Sequence, residues 1–283
     1  MKRVAAIHDI SGFGRCSLTV ALPILSVAGL NCCVLPTAFL STHTGIDGFT
    51  YTDFTNEMIP TALHWQNIGL EFDAIYSGFL GSIKQIDILK DIFIMFGNKT
   101  NQTNSKKPLI LVDPVMGDNG KLYKTFTPQF PQKMLLLCKQ ADIITPNITE
   151  ATLLIGEEYK EIYTNTELET IIKKLLDLIG ADKQIVLTGV HNKSKSEIIT
   201  IAYEKNTFFY AKRPIIEGQF SGAGDIFASV LLSMLLTGNN LEKSANIAMD
   251  FTTTSISQTL KNKQNPRFGI CFEYELHTLM KYH

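Results

Sequence analysis

The chain has 283 residues, 45% of them hydrophobic, and its 26 basic and 27 acidic side chains give a formal net charge of −1. That length and apolar content suit one large domain, residues 1–283, with a substantial core. The balanced charge leaves no global field to favour nucleic acid or an anionic membrane. No apolar run approaches the ~20 residues of a membrane span, and residues 1–9 are too short and too polar at their end for a signal peptide. The five cysteines form no C-x-x-C pair and are expected as reduced thiols of a cytoplasmic protein.

Residues 4–7 form a short apolar strand that leads into a polar, glycine-bearing loop, 8–15. Residues 17–28 have helical spacing closed by Gly29, and 32–35 read as the next strand. Residues 53–67 are helical, with Pro60 expected to kink or break the helix. Strand 74–77 breaks at Gly78, and helix 83–96 stops at Gly97. The polar stretch 98–107 is expected to be a surface loop. Strands follow at 109–112, 143–145 and 184–187, with a helix at 168–179. Residues 198–203 and 207–211 alternate like a β-hairpin around Glu204-Lys205-Asn206. Two helices, 226–236 and 241–259, and a short terminal one complete the chain. Alternating strands and helices predict an α/β fold with a mostly parallel central sheet covered by helices on both faces. Ligands bind such sheets beyond the carboxyl ends of the strands, so the loops 8–15, 41–47, 77–82, 113–120, 145–150 and 188–189 are expected to share one rim.

The most informative segment is Gly218-Gln219-Phe220-Ser221-Gly222-Ala223-Gly224-Asp225, which opens the apolar helix 226–236. Amides at a helix N-terminus attract anions. Gly222 and Gly224 have no side chains to keep a phosphate away. Asp225, held ionised by the helix dipole, would take a proton from an alcohol, as phosphoryl transfer needs positioning and a modest base. The same residues would equally form a plain helix cap. Asp113-Pro114-Val115-Met116-Gly117-Asp118 follows a strand and reads either as a turn or as a ligand loop. Asn147-Ile148-Thr149-Glu150 has the spacing of a capping arrangement. On one rim, Asp113 and Glu150 also suit a hydrated Mg²⁺, which prefers few carboxylates and several waters. His8 and His43 lack metal-ligand spacing and read as lone polar contacts. Cys16 reads as a packed thiol.

In this order, and over essentially the whole chain, these motifs resemble the ribokinase-like superfamily, and within it the pyridoxal (vitamin B6) kinases. The run from Asp113 to Tyr123 is similar to the nucleotide-side loop of that family. Asp142-Ile143-Ile144-Thr145-Pro146-Asn147, with Glu150, is similar to its N-x-x-E segment. Ser221 to Asp225 is similar to its anion hole and catalytic Asp. Ser41-Thr42-His43-Thr44-Gly45 and Tyr76-Ser77-Gly78-Phe79-Leu80-Gly81-Ser82 resemble its vitamin-side loops.

The resemblance implies ATP-dependent phosphorylation of the 5′-hydroxymethyl group of pyridoxal, pyridoxine or pyridoxamine, with Mg²⁺, a monovalent cation such as K⁺, and a homodimer. Asp225 would be the base, and the amides of Gly222, Ala223 and Gly224 the anion hole. Asp113 and Glu150 would act on Mg²⁺ through water, and Asp118, Asn147 and Thr188 would lie toward ATP. Asp9, His43, Thr44, Phe79 and Tyr123 would face the vitamin. Two departures sit on that side. Asp9 stands where pyridoxal kinases commonly have Ser, and His8-Asp9-Ile10-Ser11-Gly12-Phe13-Gly14 looks closer to the S-D-S-S-G-G-A-G loop of hydroxymethylpyrimidine kinases. Phe79 stands where many pyridoxal kinases have Tyr. The competing expectations are therefore a hydroxymethylpyrimidine (phosphate) kinase and a non-catalytic binder of pyridoxal 5′-phosphate.

Overall fold

The computed structural model describes residues 1–97, 107–192 and 196–282. Apart from Lys107, the polar stretch expected as a surface loop lies outside these residues. Nine strands form the main sheet: β1 (Arg3–Phe13), β2 (Asn31–Thr42), β3 (Tyr51–Asp53), β4 (Ala74–Ser77), β5 (Leu109–Val112), β8 (Ile143–Ile144), β9 (Gln184–Asn192), β10 (Glu197–Glu204) and β11 (Thr207–Pro214). A separate small hairpin pairs β6 (Gly117–Asp118) with β7 (Lys121–Leu122). The helices are α1 (Leu18–Val27), α2 (Thr55–Asn67), α3 (Ile83–Gly97), α4 (Phe130–Cys138), α5 (Ile148–Ile155), α6 (Asn165–Ile179), α7 (Ala223–Leu236) and α8 (Leu241–Lys261), followed by 3-10 segments at Pro266–Phe268 and Phe272–Tyr282.

The sheet order is β11-β10-β9-β8-β5-β4-β1-β2-β3. Pairing is parallel from β2 through β1, β4, β5 and β8 to β9, and antiparallel only at the two margins. All six parallel strands therefore end on the same rim, as the sequence predicts. The chain winds outward from β1 in both directions, to β2 on one side and β4 on the other. That makes the gap between β1 and β4 the topological switch point, where open α/β sheets form their ligand crevice.

Side chains alternate across the pleat. Ala5 and Ile7 of β1 join the core beneath α2–α6, while Val4 and Ala6 join the core beneath α1, α7 and α8. Helix α7 is apolar almost all round because it is enclosed by the sheet, α1 and α8.

Two strands are longer than their apolar runs suggest. β1 continues through the polar residues 8–13 because β2 extends to Thr42 and keeps pairing with it, across a register shift between His8 and Ile10. Pro60 lies inside a continuous α2 rather than breaking it. Helices α4 and α5 have no counterpart in the periodicity reading; they cover 9 and 8 residues, close to the shortest that such a pattern can reveal. All five cysteines are unpaired thiols.

Candidate active site

Gly222 caps the N-terminus of α7 with φ of 82°, in the left-handed region. A Cβ there would lie 2.0 Å from the carbonyl oxygen of Arg15, so both the conformation and the contact require glycine. The first amides of a helix have no acceptor within it. Among them, Ala223 N–H makes a long bond to Phe220 O at 3.4 Å, which leaves the glycine amides better placed to receive an anion than that of Ala223. A Cβ built on Gly224 would lie 3.9 Å from Asp113 Oδ2, so this carboxylate oxygen faces the glycine loop.

Asp225 sits in the first turn of α7, and its carboxylate accepts the backbone N–H of Ser17. Burial pushes its pKa up to about 7, and the nearby charge of Asp9 pushes in the same direction. Desolvation thus outweighs the helix dipole that the sequence reading expected to keep it ionised. A carboxyl group that titrates near neutrality is well matched to general base work.

Asp113, at the end of β5, is 5% exposed and accepts the Thr145 hydroxyl at 3.0 Å. Burial pushes it up to about 8, with the Asp225 charge adding to the shift. Asn147 and Glu150 form a full capping box on α5. Glu150 N–H donates to Asn147 Oδ1 at 2.9 Å, and Asn147 N–H donates to Glu150 Oε2 at 2.9 Å. The remaining Glu150 oxygen accepts Met116 N–H at 3.1 Å, and Asn147 Nδ2 donates to Gly117 O at 2.9 Å. The capping reading of this motif is therefore realised, and the same bonds tie α5 to the loop after Asp113. Burial and the Asp113 charge raise the Glu150 pKa, against the pull of its two backbone donors.

Thr188 is bridged to Asn147 and donates its N–H to Pro146 O at 2.9 Å, which ties the segment after β8 to the middle of β9. Asp118 lies on the exposed tip of the small hairpin, beside Asn119 and Gly120 at φ 50° and 74°. An Asn-Gly pair favours this type of turn.

No group of three His, Cys, Asp or Glu side chains among the described residues is arranged to cage a metal. Asp113 nonetheless keeps Oδ2 turned to the glycine loop, and among the described residues no cation offsets the charges of Asp113 or Glu150. That donor set fits Mg²⁺, which binds through one or two carboxylates, waters and phosphate oxygens.

On the far side of the cleft, Asp9 is 4% exposed. It accepts the Ser11 hydroxyl at 3.3 Å and also a Ser17 side-chain bond, and burial raises its pKa. His8 is fully buried, packs edge-on to Tyr76 at 4.3 Å between centroids, and is pushed down to about 3 by burial, so it is a neutral imidazole. His43 follows directly on β2. Its Nδ1 accepts Gly45 N–H at 3.2 Å, so Nε2 carries the proton and donates to Arg267 O at 2.6 Å. Both ring nitrogens are thus taken by backbone groups. Thr44 is exposed beside it. Phe79 lies 5.6 Å from Phe126, which stacks on Phe130 at 3.8 Å and lies 6.3 Å from the half-buried Tyr123. The sequence reading missed Phe126 and Phe130, which offer no motif. The contiguity of Tyr123, Phe126 and Phe130 at helical intervals is their only trace.

The phosphomethylpyrimidine kinase family model matches residues 28–267. The chain belongs to this family. A Bacteroides thetaiotaomicron protein described as a phosphomethylpyrimidine kinase and crystallised with pyridoxal superposes with a TM-score of 0.91, at 38% identity over 98% of this chain and 95% of that one. The pyridoxal kinase of Lactobacillus plantarum superposes at 0.88, with 28% identity over 99% and 97%. The hydroxymethylpyrimidine/phosphomethylpyrimidine kinase of Aquifex aeolicus is 34% identical over 58% of this chain and 60% of its own length. Matches span 52 to 67% of the length of three curated relatives. The chain is thus a kinase of ribokinase-like fold, and its resemblance to pyridoxal kinases holds. Among the described residues no helix is long and apolar enough to cross a membrane.

Two outcomes follow from this geometry. Gly222→Ala is expected to lower kcat by at least about 10²-fold, because the added Cβ must displace either the glycine loop or Arg15; steady-state kinetics on folded protein measures it. The second concerns stability. With folded pKa values above their unfolded ones, Asp113 and Asp225 favour the fold while protonated. That contribution is full below the ordinary carboxyl range and is lost progressively as pH rises from there to the folded values of about 7 to 8. Asp113→Asn keeps the Thr145 bond without the charge, so without Mg²⁺ its melting temperature should exceed that of wild type by more at pH 8 than at pH 5.

Proposed function

We propose that this chain, acting as a single kinase domain, transfers the γ-phosphoryl group of ATP to the 5′-hydroxymethyl group of pyridoxal, pyridoxine or pyridoxamine. The observation that carries the phosphoryl-transfer half is the meeting of three features at one helix end: the glycine amides, an Asp225 carboxyl poised near neutrality, and Asp113 Oδ2 facing Gly224. The vitamin half rests on the relatives: a 38%-identical neighbour crystallised with pyridoxal and a pyridoxal kinase of matching fold over nearly the whole chain. A cytoplasmic homodimer is the assembly in which we place this activity.

In this reading Asp225 accepts the hydroxyl proton of the alcohol as its oxygen attacks the γ-phosphorus, and ADP leaves. The Gly222 and Gly224 amides stabilise the charge on the transferring group without reorganising, with Ala223 N–H, whose bond to Phe220 O is long at 3.4 Å, as a third donor. Mg²⁺, held near Asp113 and Glu150 with water between, would neutralise phosphate charge, and K⁺ is a further expected ion. Asn147 and Thr188, fixed side by side by their bridge, support the nucleotide-phosphate end, with Asp118 at its outer edge. Asp9, Thr44, Phe79 and Tyr123 line the alcohol end, where the aromatic cluster around Phe126 offers an apolar wall for a flat ring.

Asp9 favours a second reading. A buried carboxylate favours strong donors; Asp9 has only the Ser11 and Ser17 hydroxyls as side-chain donors among the described residues, and the amino group of hydroxymethylpyrimidine would add one, in accord with the family model. Purified protein given Mg-ATP with each B6 vitamer and with hydroxymethylpyrimidine separates the two. Pyrimidine turnover far above that of every vitamer would overturn the first reading, and tight pyridoxal phosphate binding with no ATP consumption would favour a non-catalytic role. Asp9→Ser is expected to shift the ratio of kcat/KM toward the vitamers by about tenfold or more. An unchanged ratio removes Asp9 from substrate choice. Asp225→Asn is expected to lower kcat ~10²–10⁴-fold with ATP affinity retained. In wild type, kcat/KM should rise with pH through about 7 as the base deprotonates. A flat profile across that range argues against Asp225 as the base.

A further inference from the structure

The segment after α8 touches both halves of the cleft. Its 3-10 turn, Pro266–Phe268, is capped by Asn265, whose side chain accepts Arg267 N–H at 3.0 Å. On one side, Phe268 O accepts Arg15 N–H at 3.1 Å, Gly269 bridges Arg15, and the Arg15 guanidinium pairs with Glu273. Gly269 has φ of 95°, and a Cβ there would lie 2.5 Å from Arg15 Cβ. Arg15 is the residue whose carbonyl abuts Gly222. On the other side, Arg267 O accepts the His43 Nε2 proton at 2.6 Å, and Arg267 Nη2 donates to Gly45 O at 3.3 Å. The Phe268 ring also packs against Phe13 at 5.1 Å between centroids.

We infer that the 265–269 turn is a positioning clamp that holds the 43–45 loop of the alcohol side in fixed relation to the anion-binding loop, with His43 and Arg267 as its positioning residues. His43 works through its two ring nitrogens, one holding its own loop at Gly45 and the other joining that loop to the turn. Arg267 doubles the link through its guanidinium, which reaches Gly45 O. The inference rests on the reading of the 43–45 loop as the alcohol side. It predicts an asymmetry: loosening the clamp should misplace the accepting alcohol and leave nucleotide contacts, on the far loops, in place.

The test combines kinetics with a measurement that needs no turnover. Arg267→Ala and His43→Ala should each raise KM for the accepted alcohol about tenfold with KM for ATP unchanged. His43→Gln, which retains a donor for Arg267 O, should recover part of the loss. Hydrogen exchange should show faster exchange at Gly45 and Ile46 in Arg267→Ala, with strands β4 and β5 unchanged. An Arg267→Ala enzyme with wild-type KM for the alcohol and wild-type exchange in this loop overturns the clamp. So does an equal rise in both KM values with a lowered melting temperature, the pattern of a purely structural role. A raised KM for the alcohol in His43→Ala with wild-type exchange at Gly45 and Ile46 would make His43 a direct substrate contact instead. If neither vitamers nor pyrimidine are turned over, the functional reading fails, while the exchange experiment still decides the clamp.

Discussion

The contact between the Arg15 carbonyl and Gly222 joins parts of the chain that the sheet alone would leave independent. Arg15 follows β1, the strand at the switch point, and Gly222 begins the helix whose first amides face the crevice. The approach is so close that no side chain fits between them. Two further backbone links reinforce it: Ser17 N–H reaches the Asp225 carboxylate, and Arg15 N–H reaches Phe268. The glycine turn proposed to bind the anion, the proposed base and the 265–269 turn are therefore indexed to one short loop. A displacement of that loop would move them together.

The same region holds acidic groups that no cation among the described residues offsets. Asp113, Glu150 and Asp225 are all shifted upward by desolvation, and Asp113 raises Glu150 as Asp225 raises Asp113. Such an arrangement opposes folding at neutral pH, and it is tolerated because the backbone around it is held elsewhere. Thr145, Met116 and Asn147 satisfy carboxylate oxygens, and the capping box fixes α5. The cost to stability is what the proposed roles require: carboxylates that would gain from a divalent cation, and an Asp225 that can accept a proton near neutrality.

Much of the fold was legible because the apolar runs of β4, β5 and β9 and the helical spacing of α1, α3, α6, α7 and α8 are long or bounded by glycine. The extension of β1 through His8 to Phe13 was not, since a polar stretch joins a sheet only when a neighbour such as β2 is long enough to pair with it. Pro60 does not break α2 for a related reason: packing of the helix on the core outweighs one lost helix bond. In the site, Gly222 to Asp225, Asp113, Asn147 and Glu150 announced themselves by motif. His43 did not announce its role, because the groups its nitrogens meet include Arg267, more than two hundred residues away. Phe126 and Phe130 carry no motif at all.

By itself the sequence determined the local chemistry: a glycine turn ahead of an acidic first helical turn, carboxylates after buried strands, and an order of motifs shared with one kinase superfamily. These follow from backbone permissiveness, charge and short-range periodicity, which act within a few residues. Only the tertiary structure decided how those pieces act together. Parallel pairing brought six strand ends to one rim, burial moved Asp225 to near neutrality against the helix dipole, and the 265–269 turn reached both loops of the cleft. Each of these depends on desolvation or contact between distant segments, which no local pattern records.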